Sequence, residues 1–134
     1  YVATPEIWHN ADIEANWATI RQGRQVVMSA LEKARNDGAI GASLQAAPLV
    51  YVTADMQTAF AGQDAASLFI TSAATITTDM PAVDAFRLDT VADVAVGFAV
   101  AAGEKCARCW KVMPEVSGPD AICKRCTDVV ATLA

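Results

Sequence analysis

The clearest pattern in the chain is a helical repeat of apolar residues near its start. Between positions 13 and 34 apolar side chains recur at spacings of three and four, and Arg24 fills the one missing slot; the apolar members are Ile13, Trp17, Ile20, Val27, Leu31 and Ala34. This pattern predicts one long amphipathic helix that begins at a cap on Asn10 or Asp12 and stops before Gly38.

A second stripe on the same helix is polar. It consists of Arg21, Gln25, Glu32 and Arg35. Because opposite charges three or four residues apart pair locally on a helix, we interpret this stripe as a solvated face.

The next part of the chain predicts short elements. The β-branched and aromatic residues over 49–53 are typical of a strand, and Asp55 can cap a short helix over 56–61. Residues 65–71 suit the end of a helix or the start of a strand equally well, because a short apolar run does not separate the two. Residues 75–78 have an extended pattern.

A loop and then a strand are predicted before the cysteines. Residues 79–89 show no clear period and predict a variable loop. Residues 94–101 alternate between large and small side chains, and the large ones are Val94, Val96, Phe98 and Val100. We expect a helix to pack closely on the small-residue side of this strand.

The composition is typical of a globular protein. The 134 residues are about one domain's worth, and 54% of them are hydrophobic and 19% charged, which is too apolar for intrinsic disorder. No apolar run reaches the roughly 18 residues that a membrane helix needs, so we expect a soluble protein. The chain starts at Tyr1 without a leader, as expected of a processed chain or of a segment of a longer one.

Charge is distributed unevenly along the chain. The net charge of −5 argues against a protein that coats nucleic acid, but half of all lysines and arginines lie in residues 104–134, which carry +1. Residues 1–37 carry −1 and residues 38–103 carry −5. The single histidine, His9, leaves little material for histidine-based acid–base catalysis or for a histidine metal site.

The four cysteines form two Cys-x-x-Cys pairs, Cys106 with Cys109 and Cys123 with Cys126, separated by 13 residues. Two such pairs can bring four thiolates to one tetrahedral ion and leave no open position for water. We therefore predict one structural zinc ion rather than a catalytic one. Two disulfides or a redox pair are the competing interpretation, although a thioredoxin-like site needs a single pair at a βα turn.

Together these patterns predict an α+β fold with a long N-terminal helix, a small mixed α/β core and a zinc-ribbon-like tail of four cysteines. We divide the chain into three regions. Residues 1–46 contain the long helix and a loop, residues 47–103 form a small α+β domain, and residues 104–134 form the zinc-binding tail.

Five residues around the cysteines are candidates for contacts with nucleic acid: Arg108, Trp110, Lys111, Lys124 and Arg125. Cations suit phosphates, and an indole ring can stack on a base. The same cations can instead stabilise the thiolates, and the indole can instead cover the small metal-centred core. The sequence leaves both alternatives open.

Two separated segments resemble one known family. The run Gly103-Glu104-Lys105-Cys106-Ala107-Arg108-Cys109-Trp110, with the later Cys123-Lys124-Arg125-Cys126, resembles the C-terminal zinc-binding tail of bacterial isoleucyl-tRNA synthetases. The stretch from Trp17 to Ala46 is similar to the end of the anticodon-binding helical region of these enzymes, with Gln45 in place of their usual Glu. Phe69-Ile70-Thr71-Ser72 resembles a short apolar-Ser segment of the same family.

The resemblance implies a part of an aminoacyl-tRNA ligase that carries no catalytic residue of its own. The family joins isoleucine to its tRNA with ATP and magnesium, and its H-I-G-H and K-M-S-K-S signatures are absent from this sequence. The chain would then meet the anticodon end of isoleucine tRNA through its tail, with one zinc ion as its own cofactor. It would act in the cytoplasm, as a monomer, together with the rest of the synthetase chain.

Two other functions also fit the cysteines. One is a four-cysteine DNA-binding finger of the DNA-glycosylase type, and the other is a structural zinc module that docks proteins. The glycosylase class needs a catalytic N-terminal proline and a basic helical DNA-binding domain, whereas residues 38–103 are acidic. Binding to tRNA, to duplex DNA or to neither would separate the three functions.

Overall fold

The computed structural model describes residues 3–118 and 120–133. Its elements are α1 (Ala11–Asn36), β1 (Leu49–Val52), α2 (Ala54–Phe60), α3 (Ala65–Phe69), β2 (Thr75–Thr77), β3 (Phe86–Leu88), β4 (Val91–Gly97), β5 (Glu104–Lys105), β6 (Val112–Met113) and α4 (Lys124–Ala131). Short 3₁₀ turns lie at Glu6–Trp8 and Ser43–Gln45. The predicted α+β class is confirmed.

Helix α1 is the long helix that the apolar repeat predicts. The side chain of Asn10 accepts a hydrogen bond from the backbone N–H of Ile13 at 3.1 Å, so Asn10 and not Asp12 is its cap. The polar stripe is solvated, and Arg35 pairs with Glu32 at 3.1 Å.

Two residues that interrupt the apolar face of α1 have clear structural roles. A Cβ atom on Gly23 would lie 3.0 Å from the ring of Phe60, so the glycine lets α2 approach the helix closely. This approach offsets the roughly 1 kcal/mol that glycine costs inside a helix. Arg24 fills its slot by donating a hydrogen bond from Nε to the carbonyl oxygen of Leu68 at 2.9 Å.

The apolar face of α1 is buried only from Ile20 onward. Ile13 is 56% exposed and Trp17 is 37% exposed. The repeat is therefore helical along its whole length, as predicted, but its first turns lie beyond the edge of the core that the helix forms with the sheet.

One four-stranded sheet packs against α1, with strand order β2-β1-β4-β3. Strands β1 and β2 are parallel and are connected through α2 and α3, whereas β4 runs antiparallel to β1 and to β3. Val50 and Val52 of β1, with Val94 and Val96 of β4, share one core with the buried side chains of α1. The first core is thus a helical layer on one face of a sheet.

The structure corrects three predictions about the strands. The helix packs on the large-residue side of β4, where Val94 and Val96 are buried, and not on the small-residue side, because branched side chains fill the space between sheet and helix. The strand ends at Gly97, so Phe98 and Val100 lie outside it. Strand β3 lies inside the predicted loop over 79–89, because three residues are too few to show a period.

The short helices also differ in detail from the prediction. Helix α2 begins at Ala54, and its cap is Thr53, whose side chain accepts a hydrogen bond from the N–H of Met56 at 3.4 Å, so the predicted cap Asp55 lies in the first turn instead. The ambiguous segment over 65–71 forms helix α3. The residue that follows this helix as its C-cap, Ile70, adopts a left-handed conformation with φ of 57°.

A second, smaller core contains three of the cysteines with Val116, and it shares no residue with the first. The first core is continuous from α1 to the sheet. The division into three regions stays a prediction. Among the described residues, no helix combines the length and the apolar character needed to cross a membrane.

Candidate metal centre

The four cysteines are positioned by a small hairpin and a short helix. Cys106 and Cys109 lie in the turn between β5 and β6, which pair antiparallel. Cys123 is the N-cap residue of α4, and Cys126 lies in the first turn of that helix. Residues far apart in the tail therefore converge on one point.

The four sulfur atoms lie within 4.8 Å of one another. The Sγ atoms of Cys109 and Cys123 are 3.7 Å apart, far beyond the roughly 2.05 Å of a disulfide bond. A tetrahedral zinc site with Zn–S distances of about 2.3 Å has edges of roughly 3.8 Å. All four cysteines are free, so the geometry fits a metal ion better than it fits two disulfides.

Backbone N–H groups favour a thiolate at Cys106. The N–H of Cys109 at 3.5 Å and that of Cys123 at 3.3 Å both donate to its Sγ atom. These hydrogen bonds, led by that from Cys109, lower the pKa of Cys106 to about 6. Burial in turn raises the pKa of Cys109 to about 12. Because burial favours the neutral thiol at Cys109, all four sulfurs would be thiolates together only around a cation. Four sulfur donors suit a soft tetrahedral ion such as Zn²⁺.

Gly103 is a residue whose role the sequence pattern did not reveal. Its φ is +103°, in the region that favours glycine, and a Cβ atom there would overlap the carbonyl group of Met113. The glycine lets the chain enter the hairpin directly against β6. Positive φ values are not visible in a sequence, so only the glycine itself was a signal.

Trp110 stands at the surface of the cysteine turn. Its φ is 69° and its side chain is 61% exposed, so the indole does not pack into the second core. The Nζ atom of Lys105 lies 5.1 Å from the centre of the ring, within cation–π range. The indole is thus exposed at the surface, with the ammonium group of Lys105 over its ring.

The four candidate cations have different surroundings. The Nη1 atom of Arg108 is 3.8 Å from the Sγ atom of Cys126, so this cation faces the thiolates. Lys124 forms an ion pair with Asp128 at 3.0 Å. Within residues 3–118 and 120–133, Arg125 and Lys111 have no carboxylate within ion-pair distance.

Lys111 nevertheless has an acidic neighbour. A hydrogen bond from the Ser67 side chain lowers the pKa of the Asp64 carboxyl, and the positive charge of Lys111 contributes to that lowering. Arg125 therefore has the least compensated charge of the four cations.

Known proteins resemble the chain over most of its length. It is 45% identical over 113 residues to the isoleucine–tRNA ligase of Agrobacterium fabrum, and the aligned region covers 84% of this chain and 12% of that protein. It is 44% identical over 126 residues to the isoleucine–tRNA ligase of Ruegeria pomeroyi, where the alignment covers 92% of this chain and 13% of the relative. It is 41% identical over 131 residues to that of Bartonella henselae, where the alignment covers 90% of this chain and 14% of the relative. No protein-family model matches the chain. The chain spans about an eighth of the length of these relatives.

Proposed function

This chain belongs to the isoleucine–tRNA ligase family as a homologue of one segment of those proteins, and we propose that it is a tRNA-contacting region of such a ligase, built around one zinc ion. The complete enzyme would join isoleucine to its tRNA with ATP and Mg²⁺. The segment would supply no catalytic residue. Its partners would be the tRNA and the rest of the ligase chain, in the cytoplasm and within a monomer.

The observation that carries the proposal is the coincidence of this homology with four convergent sulfur atoms. Cys106, Cys109, Cys123 and Cys126 would hold the ion. Zinc bound by four thiolates has no site for a water or a substrate, so its contribution would be to cross-link β5, β6 and α4. The role of the ion would be structural.

The surface of the cysteine tail would meet the tRNA. Arg125 suits a phosphate group because its guanidinium is exposed and has no ion pair among the described residues. The exposed indole of Trp110 suits an unstacked base of a single-stranded loop. Lys111, Lys124 and Arg108 would add a weaker field, since each already has an acidic or sulfur neighbour.

A binding titration tests the proposal directly. The zinc-loaded chain is titrated with isoleucine tRNA, with a tRNA of another amino acid and with duplex DNA of equal charge. We expect weak, salt-sensitive binding to isoleucine tRNA, because the net charge of −5 opposes binding of the isolated chain. Preference for duplex DNA would contradict the proposal and indicate a DNA-binding finger. Binding to no nucleic acid would contradict it as well and indicate a protein-docking module.

A further inference from the structure

The cysteine tail and the rest of the chain have separate apolar cores. We call residues 104–133 the metal module and residues 11–97 the sheet core. Their buried clusters share no residue. Over the described residues, a single hydrogen bond crosses between the metal module and the rest of the chain: the backbone N–H of Val112 donates to the Oγ atom of Ser72 at 2.6 Å.

The hydroxyl of Ser72 makes two hydrogen bonds, one as donor and one as acceptor. While it accepts the bond from Val112, it also donates to the carbonyl oxygen of Leu44 in the loop that follows α1. A hydroxyl has one proton to donate, so this arrangement uses its donor completely. Ser72 is only 6% exposed, which limits replacement of these bonds by water. One side chain thus joins the loop after α1 to strand β6.

The backbone at Ser72 is itself held firmly. Ile70 ends α3 in a left-handed conformation, which β-branched residues rarely adopt and which persists only where the surroundings enforce it. The N–H of Thr71 then bonds to the carbonyl of Ala66 at 2.9 Å, and that of Ser72 bonds to the carbonyl of Ala46 at 3.2 Å. The backbone that carries the Ser72 hydroxyl is therefore held in place on the sheet core.

We propose that Ser72 is a positioning residue that fixes the orientation of the metal module on the sheet core, so that the tail presents Trp110 and Arg125 to tRNA at one angle. The tRNA part of this inference rests on the function proposed above. Without the hydroxyl, the covalent link through residues 98–103 would remain, but the N–H of Val112 would lose its partner. The module would then sample several orientations while keeping its metal and its own core.

The test compares Ser72→Ala with Ser67→Ala in the zinc-loaded chain. Ser67 is the matched control because its hydroxyl bonds to Asp64 within the cap of α3 and makes no bond to the module, and because the variant keeps the Asp64 carboxylate and its attraction to Lys111. Residual dipolar couplings of backbone N–H groups give the alignment of α1 and α4 separately. A tRNA titration and a zinc assay are made on the same samples.

In Ser72→Ala we expect retained zinc, unchanged couplings within each half, divergent alignment of the two halves, and roughly tenfold weaker tRNA binding, the scale of one lost hydrogen bond. Ser67→Ala should match the parent chain. Identical alignment of both halves in Ser72→Ala would overturn the inference. So would rapid exchange of the Val112 amide in the parent chain, a measurement that does not depend on how the variant folds.

Two further outcomes separate this inference from the function on which it rests. If alignment diverges and tRNA binding is unchanged, although Arg125→Ala weakens it, the orientation does not serve tRNA and the inference fails. If alignment diverges and the parent chain binds no tRNA, the proposed function fails while the positioning by Ser72 stands.

Discussion

The hydroxyl of Ser72 lies 2.6 Å from the backbone nitrogen of Val112, across 40 positions of sequence. The bond joins two parts of the chain that otherwise bury separate sets of apolar side chains. We therefore expect the metal module to unfold separately from the sheet core, although the bond holds the two in one relative orientation. Changes to the metal should therefore have local consequences.

The first prediction concerns metal content. The purified chain should bind one zinc ion, because its four sulfur atoms lie within 4.8 Å of one another. Elemental analysis measures the ratio of zinc to protein, and Cys106→Ser should reduce it toward zero. A zinc-free chain whose mass under denaturing conditions is lower by four hydrogen atoms, as expected of two oxidised disulfides, would refute the site.

The second prediction concerns removal of the metal. Chelation should unfold residues 104–133 while the sheet core stays folded, because Ile20, Val50 and Val96 belong to a cluster that contains no cysteine. Structural zinc contributes about 10–16 kcal/mol in small finger peptides, a loss that the second core cannot offset. Amide exchange should rise in the module and remain slow in α1 and β4. Simultaneous loss of protection in both would mean that the two cores are coupled.

The third prediction uses a pair of glycines. Gly103 and Gly118 have nearly equal φ values of +103° and +102°, but only at Gly103 would a Cβ atom overlap the backbone, at Met113 and Pro114. Gly118→Ala should therefore cost only the roughly 1–2 kcal/mol of an alanine in left-handed backbone. Gly103→Ala should cost more and weaken zinc affinity. Equal unfolding free energies for both variants would contradict this.

The fourth prediction ranks two neighbouring cations. Arg125→Ala should weaken tRNA binding more than Lys124→Ala, because Lys124 already pairs with Asp128 at 3.0 Å. If Arg125 contacts a phosphate, its removal should reduce the slope of log K against log salt by about 0.7. Titrations at several salt concentrations measure both effects. The ranking is wrong if Lys124→Ala produces the larger change.

Local sequence patterns predicted the features that depend on neighbouring residues. The apolar repeat gave α1 and its end, and the paired cysteines indicated the convergence of four sulfurs in the tail. Both depend on spacings that the helix and the Cys-x-x-Cys turn translate directly into geometry. The strand predicted over 49–53 is confirmed as β1, which ends one residue earlier, at Val52.

Features that depend on distant partners were not predictable from such patterns. The helix packs on the large-residue side of β4 because of where α1 crosses the sheet, and the alternation of Val94 and Ala95 does not contain that information. The role of Ser72 requires Leu44 and Val112, which are far from it in sequence. The burial of α1 only from Ile20 onward likewise depends on the edge of the sheet.

The separation of the two cores also sets an order of events during synthesis. Helix α1 cannot bury its apolar face completely until β4 has left the ribosome, whereas the four cysteines follow within the next 29 residues. At about 5–20 residues per second, the sulfurs emerge a few seconds after the last strand of the sheet. We therefore expect metal capture to be the final folding step. Nascent chains stalled with residue 100 just outside the exit tunnel should already protect α1 from protease in zinc-free extract.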